Sequence, residues 1–227
     1  MINESRTLNR DQISALISSF IDHGSIVNLG IGMPTSISNF ISPDSQIILT
    51  SENGIIGYDT IITGNVKDDD AVNAGLQHVQ LSKGASILDH AESFALIRSG
   101  KIDYAILGAY EVAKDGSFSS WTRSTDLYLQ LGSVGGAMDI AEHAQNLFIA
   151  MKNFTPDKKS RLVNKCMLPI TGQKKTVSMV FTELGIFKPQ GNAFKLLAHP
   201  IGIDPNLIKK NIPVAITWDK NITEINM

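Results

Sequence analysis

Residues 25–40 of this chain read Ser-Ile-Val-Asn-Leu-Gly-Ile-Gly-Met-Pro-Thr-Ser-Ile-Ser-Asn-Phe. The run at 25–29 is typical of a short strand, the two glycines that follow indicate a turn, and we expect a helix from there to Phe40. A strand, a glycine turn and a helix in this order form the unit of an α/β fold. The turn falls beyond the carboxyl end of its strand, which is where ligands bind in open α/β sheets.

Neighbouring segments repeat this pattern. Residues 46–50 and 102–107 are further strand candidates, and each ends directly at a glycine-bearing turn. Residues 90–99 are predicted to form a helix that stops at Gly100. The three glycine turns fall at the same edge of the predicted sheet, and we expect them to share one site.

An amphipathic helix is predicted near the start of the chain. Apolar residues recur at helical spacing from Ile13 to Ile21. Asn9 is positioned to cap the first turn, with Gln12 three residues later, and Gly24 is positioned to end the helix.

The second part of the chain is richer in short β-type runs, which predict an additional β layer. Asp204 followed by Pro205 is the signature of a helix start, and this helix is expected to continue to Asn211. Together the patterns predict an α/β fold with an open, mostly parallel sheet, flanking helices and an additional β layer, in a single domain over residues 1–227. The β-type runs lie at residues 147–151, 177–182 and 193–198.

Composition excludes several classes of function. Hydrophobic residues make up 43% and charged residues 19%, as in an ordinary globular chain that can bury a core. Because the net charge is -2 and the basic residues are scattered, nucleic acid is not an expected partner. No apolar run has the length of a membrane span and residues 1–11 are polar, so we expect a cytoplasmic protein without a membrane partner. The single cysteine, Cys166, lies in an apolar stretch and is expected to be a buried, inert thiol.

The carboxylate with the most unusual sequence context is Glu52. It lies in Ser51-Glu52-Asn53-Gly54, immediately after the strand predicted at 46–50. A glutamate that caps a turn would give this pattern, and so would a carboxylate held at a strand end to attack an activated acyl group. The segment by itself leaves both interpretations open.

Two glycine segments are candidates for ligand binding. Residues 132–139, Gly-Ser-Val-Gly-Gly-Ala-Met-Asp, expose consecutive backbone N–H groups that can bind an oxyanion, although a structural turn explains them equally well. The Gly30-Ile31-Gly32 turn lacks the third glycine of the dinucleotide-binding pattern, which argues against a nucleotide-binding module. The five histidines show no metal-ligand spacing, so no metal site is predicted.

Taken together, these motifs resemble the beta subunit of the 3-oxoacid coenzyme A transferases. The resemblance extends over about residues 24–212 and rests on the order and spacing of several segments. The fold of that family, an open α/β sheet, agrees with the fold predicted above. The segments are Leu29-Gly30-Ile31-Gly32-Met33-Pro34-Thr35, Ser51-Glu52-Asn53-Gly54, Asn73-Ala74-Gly75, Leu107-Gly108-Ala109 and Gly135-Gly136-Ala137-Met138-Asp139.

The resemblance implies a role for each motif. Glu52 matches the glutamate that carries the acyl group and then coenzyme A in that family, and it is the implied catalytic residue. A coenzyme A thioester is then a substrate, no permanently bound cofactor is implied, and an alpha-type subunit is the implied partner. The implied reaction transfers coenzyme A from an acyl-coenzyme A, such as succinyl-coenzyme A, to a carboxylic acid such as 3-oxoadipate or acetoacetate. The implied substrate- and coenzyme A-binding residues are Gly30, Gly32, Asn53, Gly135, Gly136 and Ala137.

The chain departs from the family's usual residues at positions away from Glu52. These departures bear on acid specificity and on the partner interface. They also leave two other functions open, an acyl-coenzyme A hydrolase and a non-catalytic subunit that keeps the fold. The departures are Glu111, Ser119 and Ser120 in place of Gln, Ala and Asn, Ser178-Met179 in place of an Asp-Arg pair, and Lys152-Asn153 near the position of a Glu-His pair.

Overall fold

The structure, a computed structural model, describes residues 2–62, 64, 68, 70–126 and 133–226. In this part of the chain fourteen strands form two sheets. The strands are β1 (Ile26–Leu29), β2 (Ile48–Thr50), β3 (Ile55–Ile61), β4 (Val79–Ile87), β5 (Tyr104–Leu107), β6 (Glu111–Ala113), β7 (Phe118–Ser119), β8 (Asn146–Ala150), β9 (Leu162–Val163), β10 (Val177–Thr182), β11 (Gly185–Pro189), β12 (Phe194–Pro200), β13 (Ile216–Thr217) and β14 (Thr223–Ile225). The α-helices are α1 (Arg10–Ser18), α2 (His90–Arg98), α3 (Ala137–His143) and α4 (Pro205–Asn211), and the 3-10 helices are Glu4–Arg6, Pro34–Phe40 and Pro43–Ser45.

The larger sheet is built around five parallel strands. Within the described residues its order is β13-β12-β11-β10-β8-β5-β1-β2-β3-β4, with β14 beside β12. The strands from β10 to β2 in this order run parallel, whereas β3 and β4 add antiparallel on one side and β11 and β12 on the other. Strand β5 is buried throughout, as expected for a parallel strand with both faces covered. The predicted open, mostly parallel α/β sheet is confirmed.

The additional β layer is present, but it is formed by residues other than those predicted. It is a three-stranded sheet in the order β7-β6-β9. The runs predicted for it are β8, β10 and β12 and belong to the larger sheet. A short apolar run looks the same in either sheet, because its partners are set by long-range packing and not by its own pattern. The assignment of these runs to an outer layer is therefore wrong.

Helix α1 has the predicted start and an earlier end. The Asn9 side chain accepts a hydrogen bond from the Gln12 N–H, and the Gln12 side chain accepts one from the Asn9 N–H, which completes the capping pair. The helix ends at Ser18, well before Gly24. At this end the Ser18 and Ser19 hydroxyls each donate to the carbonyl three residues earlier, and the chain passes into tighter turns.

Three further predicted helices are present: α2 and α4 are α-helices, and the third has a tighter form. The segment after the glycine turn, Pro34–Phe40, is a 3-10 helix. The hydroxyls of Thr35, Ser36 and Ser38 each donate to the carbonyl three residues earlier, which is the spacing of this type of helix. Helix α4 begins as predicted, with the Asp204 side chain accepting a hydrogen bond from a backbone N–H of its first turn.

The core lies on both faces of the larger sheet. Tyr104 and Ile106 of β5 belong to a buried cluster that includes α1, whereas Ala105 and Leu107 belong to a cluster that includes α3 and α4. Since both faces are packed, the strand ends that position the site are held rigidly. Cys166 is buried, as predicted, and burial raises the pKa of its thiol. No helix in the described residues is both long enough and apolar enough to span a membrane.

Candidate active site

A cleft of about 1930 Å³ lies beyond the carboxyl ends of β1, β2, β5 and β8. Gly30 follows β1, Glu52 follows β2 and Gly108 follows β5, and all three line this cleft. The three glycine-bearing turns therefore lie together at one edge of the sheet, as predicted, and their role in a shared ligand site stays a prediction. The predicted site residues in the cleft wall are Gly30, Glu52, Gly135, Gly136 and Ala137, whereas Gly32 and Asn53 are not among the lining residues.

The backbone around Glu52 is held from several sides. The Gly54 N–H donates to the Ser51 carbonyl oxygen at 3.0 Å and closes a turn. The Ser93 hydroxyl on α2 donates to the Glu52 carbonyl oxygen at 2.8 Å. The Ala74 N–H donates to the Ser51 hydroxyl at 2.8 Å. Because these bonds use backbone atoms and the Ser51 hydroxyl, the half-buried carboxylate of Glu52 stays available in the cleft.

Gly54 and Asn53 shape the turn beneath the cleft. Gly54 has a φ of +115°, and a side chain there would collide with the carbonyl oxygen of Leu88. Asn53 is exposed, and its side-chain amide donates to the Val72 carbonyl oxygen at 2.7 Å. Both residues hold the loop in place, and contact between Asn53 and coenzyme A stays a prediction.

Gly30 and Gly32 also have structural roles. The Gly30 N–H donates to the Ile106 carbonyl oxygen at 2.8 Å, and a β-carbon on Gly30 would lie 2.9 Å from Leu107 Cδ2. Gly32 has a φ of +95°, and its carbonyl oxygen accepts a hydrogen bond from Arg10 at 2.6 Å. The Gly30 contacts hold the turn close to β5, and the Gly32 contact joins it to α1. Binding of coenzyme A by either glycine stays a prediction.

The Glu52 carboxylate faces Gly135 and Gly136. The Gly136 N–H donates to Glu52 Oε1 over 3.4 Å, a long hydrogen bond. A β-carbon on Gly136 would lie 2.6 Å from Glu52 Oε2 and 2.8 Å from Phe94 Cζ. The φ of Gly136 is -83°, a value that any residue adopts. The absence of a side chain at position 136 therefore makes room for the Glu52 carboxylate. The backbone conformation itself does not require glycine there.

Replacement of Gly136 by alanine should lower the reaction rate strongly while leaving stability close to that of the wild type. The new methyl group meets the ends of two side chains, which can shift, so the fold should tolerate it. The Glu52 carboxylate must move, and a displacement on this scale lowers catalysis by roughly 10²-fold. Initial rates and melting temperatures of the variant measure the two effects.

The control for this variant is Gly191→Ala. Gly191 has open space around its α-carbon and a φ of +87°, so alanine there should lower the melting temperature slightly and leave the rate unchanged. A Gly136→Ala enzyme with the wild-type rate would mean that the reaction does not need the open space beside the Glu52 carboxylate.

An ion pair holds the glycine segment against α2. Arg98 Nε donates to Asp139 Oδ1 at 2.7 Å, and the Arg98 guanidinium lies over the Phe94 ring, 5.5 Å from its centre. The hydrogen bond from Arg98 keeps the pKa of Asp139 below its usual value. Because α3 begins directly after Gly136, this pair positions the glycine relative to Phe94. Gly132, the first residue of the predicted glycine segment, lies outside the described residues.

Comparison with known proteins agrees with this arrangement. Residues 10–211 match the family model described as coenzyme A transferase. The chain belongs to the coenzyme A transferase family. It is 35% identical over 205 residues to one subunit of the 3-oxoadipate CoA-transferase of Pseudomonas putida, an alignment that covers 90% of this chain and 94% of the relative. It is 34% identical over 201 residues to one subunit of the succinyl-CoA:3-ketoacid coenzyme A transferase of Helicobacter pylori, covering 88% of this chain and 95% of the relative.

A solved structure of an acyl-CoA transferase has the same fold. An acyl-CoA transferase from Escherichia coli matches with a TM-score of 0.73 at 18% sequence identity. The match covers 97% of this chain and 44% of that chain, so this chain spans less than half the length of the Escherichia coli protein. At this identity the likeness establishes the fold alone.

The cleft also holds polar residues that sequence reasoning missed. Glu183 directly follows β10, and burial raises the pKa of its carboxyl group although the Asn153 N–H donates to it at 2.7 Å. The strand-end rule that singled out Glu52 applies equally to Glu183. Arg161 also lines the cleft, but it precedes a strand of two residues and no sequence pattern marks it.

Several departures from the usual residues of the coenzyme A transferase family have structural roles. Glu111 accepts hydrogen bonds from the N–H groups of Met167 and Leu168 at 2.7 and 3.0 Å, and the Ser119 hydroxyl donates to the Leu168 carbonyl oxygen at 3.0 Å. The Ser178 hydroxyl accepts from a backbone N–H of β8 at 3.2 Å, where the pairing of β8 with β10 is irregular. These residues stabilise a loop and the sheet. The departures in the cleft wall are Ser120 and Lys152.

Proposed function

We propose that this chain is the beta-type subunit of a coenzyme A transferase, with Glu52 as its covalent catalyst. The main support is that the Glu52 carboxylate and the Gly136 N–H meet in one cleft at the ends of the parallel strands. Both relatives described above are named as one subunit of a coenzyme A transferase, which adds support for an enzyme of more than one subunit.

The first half of the reaction loads coenzyme A onto Glu52. A carboxylate oxygen of Glu52 attacks the carbonyl carbon of the acyl-coenzyme A. The C–S bond breaks, coenzyme A departs as its thiolate, and Glu52 is left as an acyl-glutamyl anhydride. The thiolate then attacks the Glu52 carbon of the anhydride, a new C–S bond forms, and the first acid departs as its carboxylate. Glu52 is now a glutamyl thioester.

The second half runs these steps backward with a different acid. The carboxylate of the acceptor attacks the glutamyl carbon and releases the thiolate, which then attacks the acyl carbon of the acceptor and frees the Glu52 carboxylate. In every step the attacking and leaving groups are a carboxylate and a thiolate, in one order or the other. Both groups are anions, so no proton has to be transferred. The thioester bond energy is retained throughout, and no other energy source is needed.

The Gly136 N–H is suited to stabilise the charge that develops during these attacks. Each attack places negative charge on the oxygen of a tetrahedral intermediate, and a fixed N–H donor in a site shielded from water stabilises such an oxygen. At 3.4 Å from Glu52 Oε1, this donor already lies beside the reacting atoms. Ala137, next in the chain, begins α3 and keeps the segment rigid.

Both covalent intermediates need protection from water, because hydrolysis would destroy the stored energy. The cleft of this chain has a volume of about 1930 Å³, well above the ~300–1,000 Å³ of usual small-molecule sites. We infer that an alpha-type subunit supplies the missing wall. Large apolar side chains next to the motifs are exposed and suited to such an interface. They are Ile31, Leu76 and Met138, which are 67%, 86% and 52% exposed.

We propose succinyl-coenzyme A as the donor and a 3-oxoacid as the acceptor. The two relatives are named for 3-oxoadipate and for succinyl-coenzyme A with a 3-ketoacid, at 35% and 34% identity. Because the two identities are nearly equal, a screen of acceptor acids has to choose between these acceptors.

The test of this function is transfer that depends on an acceptor acid. The enzyme assembled from this chain and its partner should convert succinyl-coenzyme A and the acceptor into succinate and a new acyl-coenzyme A in equal amounts. Lines of reciprocal rate against reciprocal concentration should stay parallel when the second substrate is varied, because the first product leaves before the acceptor binds. Release of free coenzyme A at a rate independent of the acceptor would identify a hydrolase instead.

A further inference from the structure

Arg161 is a cation in the cleft wall with no carboxylate partner in the described part of the chain. Its backbone is fixed, because its N–H donates to the Asn153 carbonyl oxygen at 2.7 Å and its carbonyl oxygen accepts from the Val112 N–H at 2.9 Å. Its guanidinium reaches the Ala109 carbonyl oxygen through a long hydrogen bond of 3.5 Å. Its Nε is buried and has no hydrogen-bond partner among the described residues. None of the ion pairs between described residues includes Arg161.

The surroundings compensate this positive charge only in part. Burial and the neighbouring Arg123 lower the pKa of Arg161, although a guanidinium stays charged at any physiological pH. The charge of the nearby Glu183 carboxylate, which accepts the Asn153 N–H, offsets part of this lowering without forming an ion pair with Arg161. A buried donor without a partner is rare and unfavourable, so the Arg161 guanidinium is suited to receive an anion that enters the cleft.

The spacing of the strands sets the size of that anion. Only β1 separates β5 from β2, so their ends lie about 10 Å apart at the usual distance between strands. Ala109, which Arg161 contacts, comes two residues after β5, and Glu52 comes two residues after β2. A short dicarboxylic acid can span this separation with one carboxyl group at Glu52 and the other at Arg161. The phosphates of coenzyme A lie at the far end of the pantetheine arm, well beyond this distance from the reacting sulfur.

We propose that Arg161 is a specificity-determining residue that binds the second carboxylate of a dicarboxylic acid while the first carboxyl group reacts at Glu52. An arginine guanidinium can bind a carboxylate through two parallel hydrogen bonds, which a monocarboxylic acid of the same length cannot use. This role depends on the transferase function proposed above, because it takes Glu52 as the point of reaction.

The experiment compares succinate with butyrate, two acids with the same number of carbons, on the assembled two-subunit enzyme. Binding is measured as the rise in melting temperature with acid concentration, which requires no turnover. The wild-type enzyme should bind succinate more tightly than butyrate. Arg161→Gln should lose roughly 10- to 100-fold in succinate affinity, the range for hydrogen bonds to a charged group, with its butyrate affinity unchanged. Arg161→Lys should recover part of this loss.

The matched control is Lys158→Gln. Lys158 lies on the rim of the same cleft with its side chain 81% exposed, and its replacement removes the same unit of charge. This variant should keep the preference for succinate. Should Arg161→Gln fail to assemble, Arg161→Lys carries the test, because a single ammonium in place of the guanidinium should weaken succinate binding and not butyrate binding.

Several outcomes would overturn this role for Arg161. They are a wild-type enzyme with no preference for succinate, an equal loss for both acids in the variants, and a loss of coenzyme A affinity in place of succinate affinity. Failure of the transferase function itself is seen separately, as the absence of a coenzyme A adduct on Glu52 in the wild-type chain. The measurement of acid binding does not require that adduct to form.

Discussion

Replacement of Glu52 by alanine should lower the rate of coenzyme A transfer by about 10⁶-fold, as for other covalent nucleophiles. The carboxylate takes part in both covalent intermediates, so its loss stops each half of the reaction. The fold should be kept, because the hydrogen bonds from Ser93 and Ala74 that hold this turn do not use the Glu52 side chain. Glu52→Gln should lose almost as much activity, since an amide of nearly the same size is a poor nucleophile.

The matched control for Glu52→Ala is Glu142→Ala. Glu142 is an exposed carboxylate on α3, the helix that begins after the glycine segment. This control should keep the wild-type transfer rate and melting temperature, both measured with the alpha-type partner present. Turnover at the wild-type rate by a purified Glu52→Ala enzyme, from a host without a transferase of its own, would contradict the role of Glu52.

The chain by itself should show no transfer, and activity should return when an alpha-type subunit is added. The Glu52 carboxylate is half-buried in a cleft that this chain does not close, so water would reach the anhydride. The exposed side chains of Ile31 and Leu76 should also favour self-association of the lone chain, because permanent subunit interfaces are large and apolar.

Light scattering of the purified chain and transfer assays with and without the partner measure both effects. The partner should restore parallel initial-rate lines and remove the self-association. Full transfer by a monomer of this chain would show that no second subunit is needed.

The position of Glu52 could be predicted because its determinants are local. A strand of β-branched and apolar residues, a glycine turn and Ser51 lie next to it in the sequence, and the structure puts this turn in the cleft as the strand-end rule requires. The start of α1 could be predicted for the same reason, since Asn9 and Gln12 form their capping pair within one turn.

Features that depend on distant contacts could not be predicted. The runs that became β8, β10 and β12 carry no information on which sheet they join. The end of α1 was predicted too late, at Gly24, because several positions before this glycine could also end the helix. Arg161 could not be singled out because its neighbours in the cleft, Ala109 and Glu183, are far from it in sequence.

Mass spectrometry of this chain tests the covalent role of Glu52 most directly. The assembled enzyme is first incubated with succinyl-coenzyme A in the absence of an acceptor. The chain should gain the mass of coenzyme A less one water, and peptide mapping should locate the addition on the peptide that contains Glu52. Addition of the acceptor acid should remove it. An unchanged mass, or an equal gain by Glu52→Ala, would contradict catalysis through a glutamyl thioester.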